Sequence, residues 1–297
     1  MFVLTVLGVG VRVPPLAAQP ESSGTIRVAA FNIQVFGAKK AQHAAVMTVI
    51  SRIVRQFDVT AVQEVRDESG RAADALLERL NRGSGAPWAM IVGPRLGRSE
   101  SKEQYVIYYR PSVVAFVDSF TVANRGRFER PPLVARFMAG AFDFRLVVAH
   151  IKPGDAAREM AALARVALAV ADSNERDVIL LGDFNADCGY FNERDETHPL
   201  RARRFHWIIE NDARTAVRSG CTYDRIVLFP ETFGHEYVPN SGRVFRYDSV
   251  FGIRRRLVRA VSDHFPVFAE FSIAGPDDDG AAGMTNGKGR RHDTRGR

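Results

Sequence analysis

The stretch Asp177-Val178-Ile179-Leu180-Leu181-Gly182-Asp183-Phe184-Asn185-Ala186-Asp187-Cys188 decides the fold. Its Val-Ile-Leu-Leu run is bounded by turn residues, so it reads as a strand covered on both faces, as in layered α/β sheets. Gly182 breaks the run, and a carboxylate and a carboxamide follow one residue apart. Layered sheets bind their ligands at the carboxyl ends of such strands. Asp183 and Asn185, at i and i+2, can point to one side of that edge. A polar turn closing a strand explains the same residues equally well. The flanking sequence has to decide.

Upstream, Phe142 to Ala149 predicts a strand ending at His150, and Asp155 to Ala171 an alanine-rich helix that Asp155 caps. The chain opens in the same way. Thr25 to Phe31 predicts a strand ended by Asn32, Gln42 to Gln56 a helix, and Phe57 to Val62 a strand with Gln63-Glu64-Val65-Arg66 at its end. Ala72 to Leu80 is again helical. Tyr105 to Arg110 and Val113 to Phe120 read as neighbouring strands turned at Pro111-Ser112, and Leu133 to Phe137 as another. Downstream come a helical piece around Arg204 to Ile209, a strand at Thr222 to Phe229, and irregular aromatic-rich chain to Tyr247. A last strand, Pro266 to Ile273, follows Ser262-Asp263-His264. Strands alternating with helices argue for a layered α/β domain over residues 25–273, its two halves forming two packed sheets.

Composition sets the outer limits. The chain has 297 residues, 46% hydrophobic and 25% charged, enough for a sizeable core. A net charge of +7 and a pI near 9.7 suit a polyanionic partner, although arginine-rich proteins without one are common. Residues 1–19 read as a secretory signal, too short for a membrane span, with a mis-set start codon as the alternative. Export implies a secreted or periplasmic protein, in which Cys188 and Cys221 could pair; in a reducing compartment they would stay two thiols. No other stretch is a membrane candidate. Residues 275–297 are Gly/Asp/Arg-rich and read as a disordered tail.

Polar side chains collect at strand ends: Asn32, Glu64, Glu103, His150, Asp183, Asn185, Asp224, Asp263 and His264. Singly, each is more simply a turn former or a satisfied structural residue. Together they describe one polar pocket at one sheet edge, the default place for a hydrolytic site. Oxygen donors without cysteine clusters suit a hard cation, Mg²⁺ or Mn²⁺, rather than zinc. Two histidines supply acid and base near neutral pH. With no serine elbow or reactive cysteine motif, direct attack by water on a phosphoester is favoured.

Five segments occur in the order found in deoxyribonuclease I-like enzymes: Glu103-Gln-Tyr, Ala-His150, Gly-Asp183-Phe-Asn185-Ala-Asp-Cys188, Cys221-Thr-Tyr-Asp224-Arg-Ile-Val and Ser-Asp263-His264-Phe-Pro. Phe31-Asn32-Ile-Gln-Val-Phe-Gly and Gln63-Glu64-Val65-Arg66 fit as well. The chain thus resembles that branch of the endonuclease/exonuclease/phosphatase superfamily. The resemblance implies a four-layer sandwich of two mixed β-sheets flanked by helices. It further implies a metal-dependent endonuclease that cuts DNA with little sequence preference and leaves 5′-phosphate ends, acting as a monomer away from membranes. By the same resemblance, Glu103 with His150 and Asp224 with His264 are acid–base couples. Glu64, Asn32, Asp183 and Asp263 are the metal side of the site, and Asn185, Arg66 and Arg130 contact substrate. Cys188 and Cys221 become the expected disulfide. Two departures stand out. Ser101 occupies the place of a groove-packing tyrosine, and Thr121 to Glu129 lacks an acidic cluster that holds structural Ca²⁺, carrying Arg125 and Arg127 instead. A weak calcium requirement and steep salt sensitivity are therefore expected. The rival readings are a phosphoesterase acting on lipid head groups, such as a sphingomyelinase or phosphoinositide phosphatase, and a toxin-like interaction module on the same fold.

Overall fold

A computed structural model describes residues 24–99, 101–171 and 176–275, with the backbone of 11–12. The expected leader over 1–19, those two residues apart, and the expected tail beyond Gly275 lie outside the described residues. In chain order the strands are β1 (Val11–Arg12), β2 (Thr25–Phe36), β3 (Val59–Val65), β4 (Ala89–Val92), β5 (Gln104–Tyr109), β6 (Ala115–Thr121) and β7 (Leu133–Ala139). They continue as β8 (Phe142–His150), β9 (Val178–Asp183), β10 (His206–Trp207), β11 (Asp224–Leu228), β12 (Arg243–Val244) and β13 (Val267–Ser272). The helices are α1 (Ala38–Ala41), α2 (Ala44–Val54), α3 (Arg71–Asn81), α4 (Ala156–Val170), α5 (Pro230–Gly234), α6 (Tyr247–Val250) and α7 (Arg255–Val261).

Two mixed sheets result, a seven-stranded one ordered β1-β4-β5-β3-β2-β13-β12 and a six-stranded one ordered β10-β11-β9-β8-β7-β6. Each is antiparallel except for a central parallel pair, β2 with β3 and β8 with β9. Parallel neighbours need a long crossover, and α2 and α4 supply it. Strand alternation then divides the apolar residues by face. Val28, Ala30 and Ile107 of one sheet meet Leu146, Val148 and Leu181 of the other in a central core. On the outer faces, Ala29, Phe31 and Val62 sit beneath Ile50 and Leu76, while Val147 and Leu180 sit beneath Met160 and Leu163. Four layers follow: helices, sheet, sheet, helices. Both parallel pairs send their carboxyl ends to one edge, and that edge carries the polar residues.

Four local expectations are corrected. β2 runs past Asn32 to Phe36, with an irregular register between Asn32 and Phe36 and positive φ at Gln34 and Val35. The strands on either side of Pro111-Ser112 are not neighbours, because that turn carries the chain from one sheet to the other. Arg204 to Ile209 is no helix: His206 and Trp207 form β10, pairing with Leu228 and Val227 at the sheet edge. Asp155 sits at the N-cap position of α4 without a capping hydrogen bond, since its carboxylate is drawn to Lys152 (3.3 Å) and Arg158 (3.3 Å).

Candidate active site

Register builds the site. In the six-stranded sheet His150 of β8 and Asp224 of β11 both stand opposite Asp183 of β9, so three candidate site residues form one row. The row needs Gly182. Its φ is +137°, and a Cβ there would lie 1.9 Å from the Ala149 carbonyl oxygen. From the facing sheet Asn32 reaches across, its Nδ2 donating to Asp183 Oδ2 (2.9 Å) and to Glu64 Oε1 (3.2 Å).

Two imidazoles then converge on Asp183. His150 Nδ1 meets Glu103 Oε1 at 2.5 Å and its Nε2 lies 3.5 Å from Asp183 Oδ2. His264 Nδ1 meets Asp224 Oδ2 at 2.8 Å and its Nε2 lies 3.7 Å from the same Asp183 oxygen. Each ring thus has one nitrogen tied to a carboxylate, which fixes its orientation, and the other aimed at a common centre. Burial pulls the His264 pKa down, but Asp224, Asp183 and Asp263 outweigh it and push it up to about 10. Asp263 is partly exposed, its Oδ1 3.8 Å from His264 Nε2.

The other side of the cleft is built around Glu64. Burial raises its pKa, yet His150, Arg66 and hydrogen bonds from Val35 and Asn32 outweigh that and hold the carboxyl below its ordinary value. Val35 N donates to its Oε2 at 2.8 Å, and Arg66 Nη2 lies 2.9 Å from the same oxygen. Gln34, Val35 and Glu64 all have left-handed φ, at 47°, 51° and 62°. Such backbone persists only where its surroundings over-determine it, and it clusters at functional sites. Arg130 is buried, its Nε 3.3 Å from Glu103 Oε1 and donating to the His150 carbonyl at 3.2 Å. Asn185, at φ 48°, donates through Nδ2 to Ile151 O (2.9 Å) and through its backbone N–H to Asp183 Oδ1 (3.0 Å). A disulfide joins Cys188 to Cys221 and fastens the loop after Asn185 to the approach to Asp224. Every site residue drawn from the sequence therefore lies in or beside one cleft.

Residues 29–264 match the model of the Endonuclease/Exonuclease/phosphatase family. Human deoxyribonuclease-1 is 35% identical over 85% of this chain and 94% of its own length. The bovine deoxyribonuclease-1 is 34% identical over 82% of this chain and 91% of its own. The chain belongs to the deoxyribonuclease I branch of this family. A zebrafish (D. rerio) TDP2 structure with single-strand DNA product shares the fold, at a TM-score of 0.61 and 16% identity over 84% of this chain and 100% of that one. Human Nocturnin's catalytic domain does too, at a TM-score of 0.58 and 15% identity over 84% of this chain and 94% of that one.

Within this family frame, several supporting residues escape sequence reading. Tyr105 Oη accepts from His150 N at 2.9 Å, and Ser262 Oγ both donates to Asn32 O (2.6 Å) and accepts from His264 N (3.0 Å). Buried Glu159 accepts from the backbone of Glu129 (2.7 Å) and Lys152 (3.1 Å), pinning the loops on either side of Arg130 and His150. Lys40 Nζ donates to the carbonyls of Ile33, Gln34 and Val261, fastening the strained turn beside Glu64 to the end of α7. Of these only Ser262 carried a signal, as part of the Ser-Asp-His run.

The family is metal-dependent, and the donor set here fits a hard divalent cation. Buried carboxylate oxygens Glu103 Oε2, Asp224 Oδ1 and Asp263 Oδ1 lack a hydrogen-bond partner. Asp183, Asp224 and His264 bring three ligand atoms within 4.8 Å. That trio is partly the Asp224–His264 hydrogen bond itself, which an ion would have to displace. Glu64 and Asn32 offer further oxygen donors, which an ion would share with Asn32, Val35 and Arg66 at Glu64 and with Gln34 N at Asn32.

Proposed function

We propose that the chain is an exported, magnesium-dependent endonuclease that hydrolyses DNA phosphodiester bonds by direct attack of water. The carrying observation is the convergence of two carboxylate-anchored imidazoles on one oxygen of Asp183. A scissile phosphate seated there has a proton acceptor on one side and a donor on the other. His264, pushed up to about 10, is cationic at neutral pH and suits protonation of the departing 3′ oxygen. His150, backed by Glu103, takes the proton from water. Asn185 orients the phosphate, with Asp183 and Asp263 beside the rings, and Arg66 supplies positive charge at the rim. Glu64 with Asn32, Asp183 and Asp263 would hold the ion, whose role when bound is to neutralise charge developing on the phosphoryl oxygen.

Substrate choice rests on the 35% likeness to deoxyribonuclease-1 and on the charge of +7, both of which favour DNA over a lipid head group. The test is relaxation of supercoiled plasmid in Mg²⁺, followed by end-labelling of the nicks. Nicks bearing 5′-phosphates are expected. Intact plasmid alongside release of phosphocholine from sphingomyelin or of inorganic phosphate from a phosphoinositide would overturn the substrate assignment, and inertness towards all three substrates would favour the interaction-module reading.

A further inference from the structure

The cleavage site does not account for the arginines of α7. Residues 251–262 hold Arg254, Arg255, Arg256 and Arg259 and no acidic residue. All four are exposed. No ion pair or hydrogen bond engages their side chains among the described residues. The helix buries Val258 and Val261 on the opposite side, against the layer that holds α2. Spacings of three and four residues put Arg255, Arg256 and Arg259 on one solvent-facing arc. A second segment adds to them. Residues 215–217 run alongside 263–265: Phe265 N donates to Thr215 O (2.7 Å), Ala216 bridges to His264, and Val217 N donates to Asp263 O (2.8 Å). Exposed Arg218 therefore continues past Asp263 towards the end of α7. Arg255 first, then some loss of hydration and Arg218, hold the Arg259 guanidinium below its ordinary value, which puts the three arginines within electrostatic reach.

This arrangement gives the fold little, since only Arg259, in the last turn, lies where the helix dipole favours a cation. Like charges four residues apart on a helix repel, and cations in a first helical turn oppose the macrodipole. The strip is also continuous with the catalytic edge, because α7 leads straight into Ser262-Asp263-His264. Its exposed arc carries no aromatic or large aliphatic side chain, so nothing on it is suited to enter a bilayer.

We infer that Arg218, Arg255 and Arg259 form a basic strip that grips the phosphate backbone of the nucleic acid beyond the scissile phosphate, on the His264 side of the cleft. The inference rests on the DNA-cleaving reading of the site and extends it. The strip raises affinity without regard to sequence and makes it salt-dependent.

The test is binding of a fluorescein-labelled 30-base-pair duplex, followed by anisotropy in EDTA across a NaCl series, for wild type and for the triple variant Arg218→Ala, Arg255→Ala, Arg259→Ala. Every arginine that neutralises a phosphate adds about 0.9 to the slope of log affinity against log salt, so the slope should fall by roughly 2 to 3 in the variant. The triple Arg→Lys variant should recover most of it, and the alanine variant's Tm should equal or exceed that of wild type. An unchanged slope and a Kd within twofold of wild type would overturn the strip. So would tighter binding of wild type to phosphatidylserine vesicles than to duplex, with only vesicle binding abolished in the variant. Plasmid nicking is scored separately. Wild type that never nicks, yet shows the arginine-dependent slope, would remove the cleavage reading and leave the strip standing.

Discussion

Asp183 is the residue on which both imidazoles converge, and the charge around it sets the protonation of His264. A free histidine titrates near 6.5, whereas His264 is pushed up to about 10. The folded state therefore binds this proton more tightly than the unfolded chain. The resulting stability is complete below about pH 6.5 and is lost as pH rises through about 10. In EDTA, Tm should fall between those limits, and His264→Gln should flatten the fall; parallel Tm profiles would contradict the assignment. Asp224 is the largest of the charges raising this pKa. Asp224→Asn should move the alkaline limb of kcat down by roughly 1–3 pH units, measurable in a pH–rate profile. Gly182 makes a different prediction. Because a Cβ there would meet the Ala149 carbonyl at 1.9 Å, Gly182→Ala should separate β8 from β9 and abolish both soluble expression and activity. A soluble, active alanine variant would mean the row tolerates that shift.

Among the elements, the loop before β11 depends on its disulfide. Cys188 and Cys221 are 33 residues apart, so closing that loop stabilises by roughly 3–4 kcal/mol in the chain-entropy picture. Reduction or Cys188→Ser with Cys221→Ser should lower Tm by on the order of 10 °C, read by thermal melts with and without reductant. The loop at 121–129 is held by its own side chains. Asn124 donates to Phe128 O and accepts from Phe128 N (both 2.9 Å), and Glu129 Oε1 accepts from Arg98 N and Ser99 N (both 2.8 Å). Calcium-specific chelation by EGTA should accordingly leave Tm within about 2 °C, a shift set by less than about 1 kcal/mol; a collapse on mild chelation would contradict this.

At the level of the whole molecule, the parallel core strands were legible because burial on both faces leaves continuous apolar runs such as Val178 to Leu181. The residues proposed as catalytic stood out in the sequence because their motifs are local. What escaped depends on distant partners. Tyr105 finds its role only against a backbone N–H 45 residues away, and Glu159 against one 30 residues away. β10 is two residues long and exists because Leu228 and Val227 offer it an edge. α7 is seven residues long, and its short apolar face of Leu257, Val258 and Val261 is interrupted by arginines, too little periodicity to announce a helix. In the proposed reaction the two couples act as one unit on one phosphate, and groups that act as a unit are non-additive when removed. The direct measurement is kcat for supercoiled plasmid in Mg²⁺ with His150→Ala, His264→Ala and the double variant. Each single change should cost about 10²- to 10⁴-fold, and the double variant should lie close to the worse single. Retention of more than a tenth of wild-type kcat by either single variant would contradict the two-couple site.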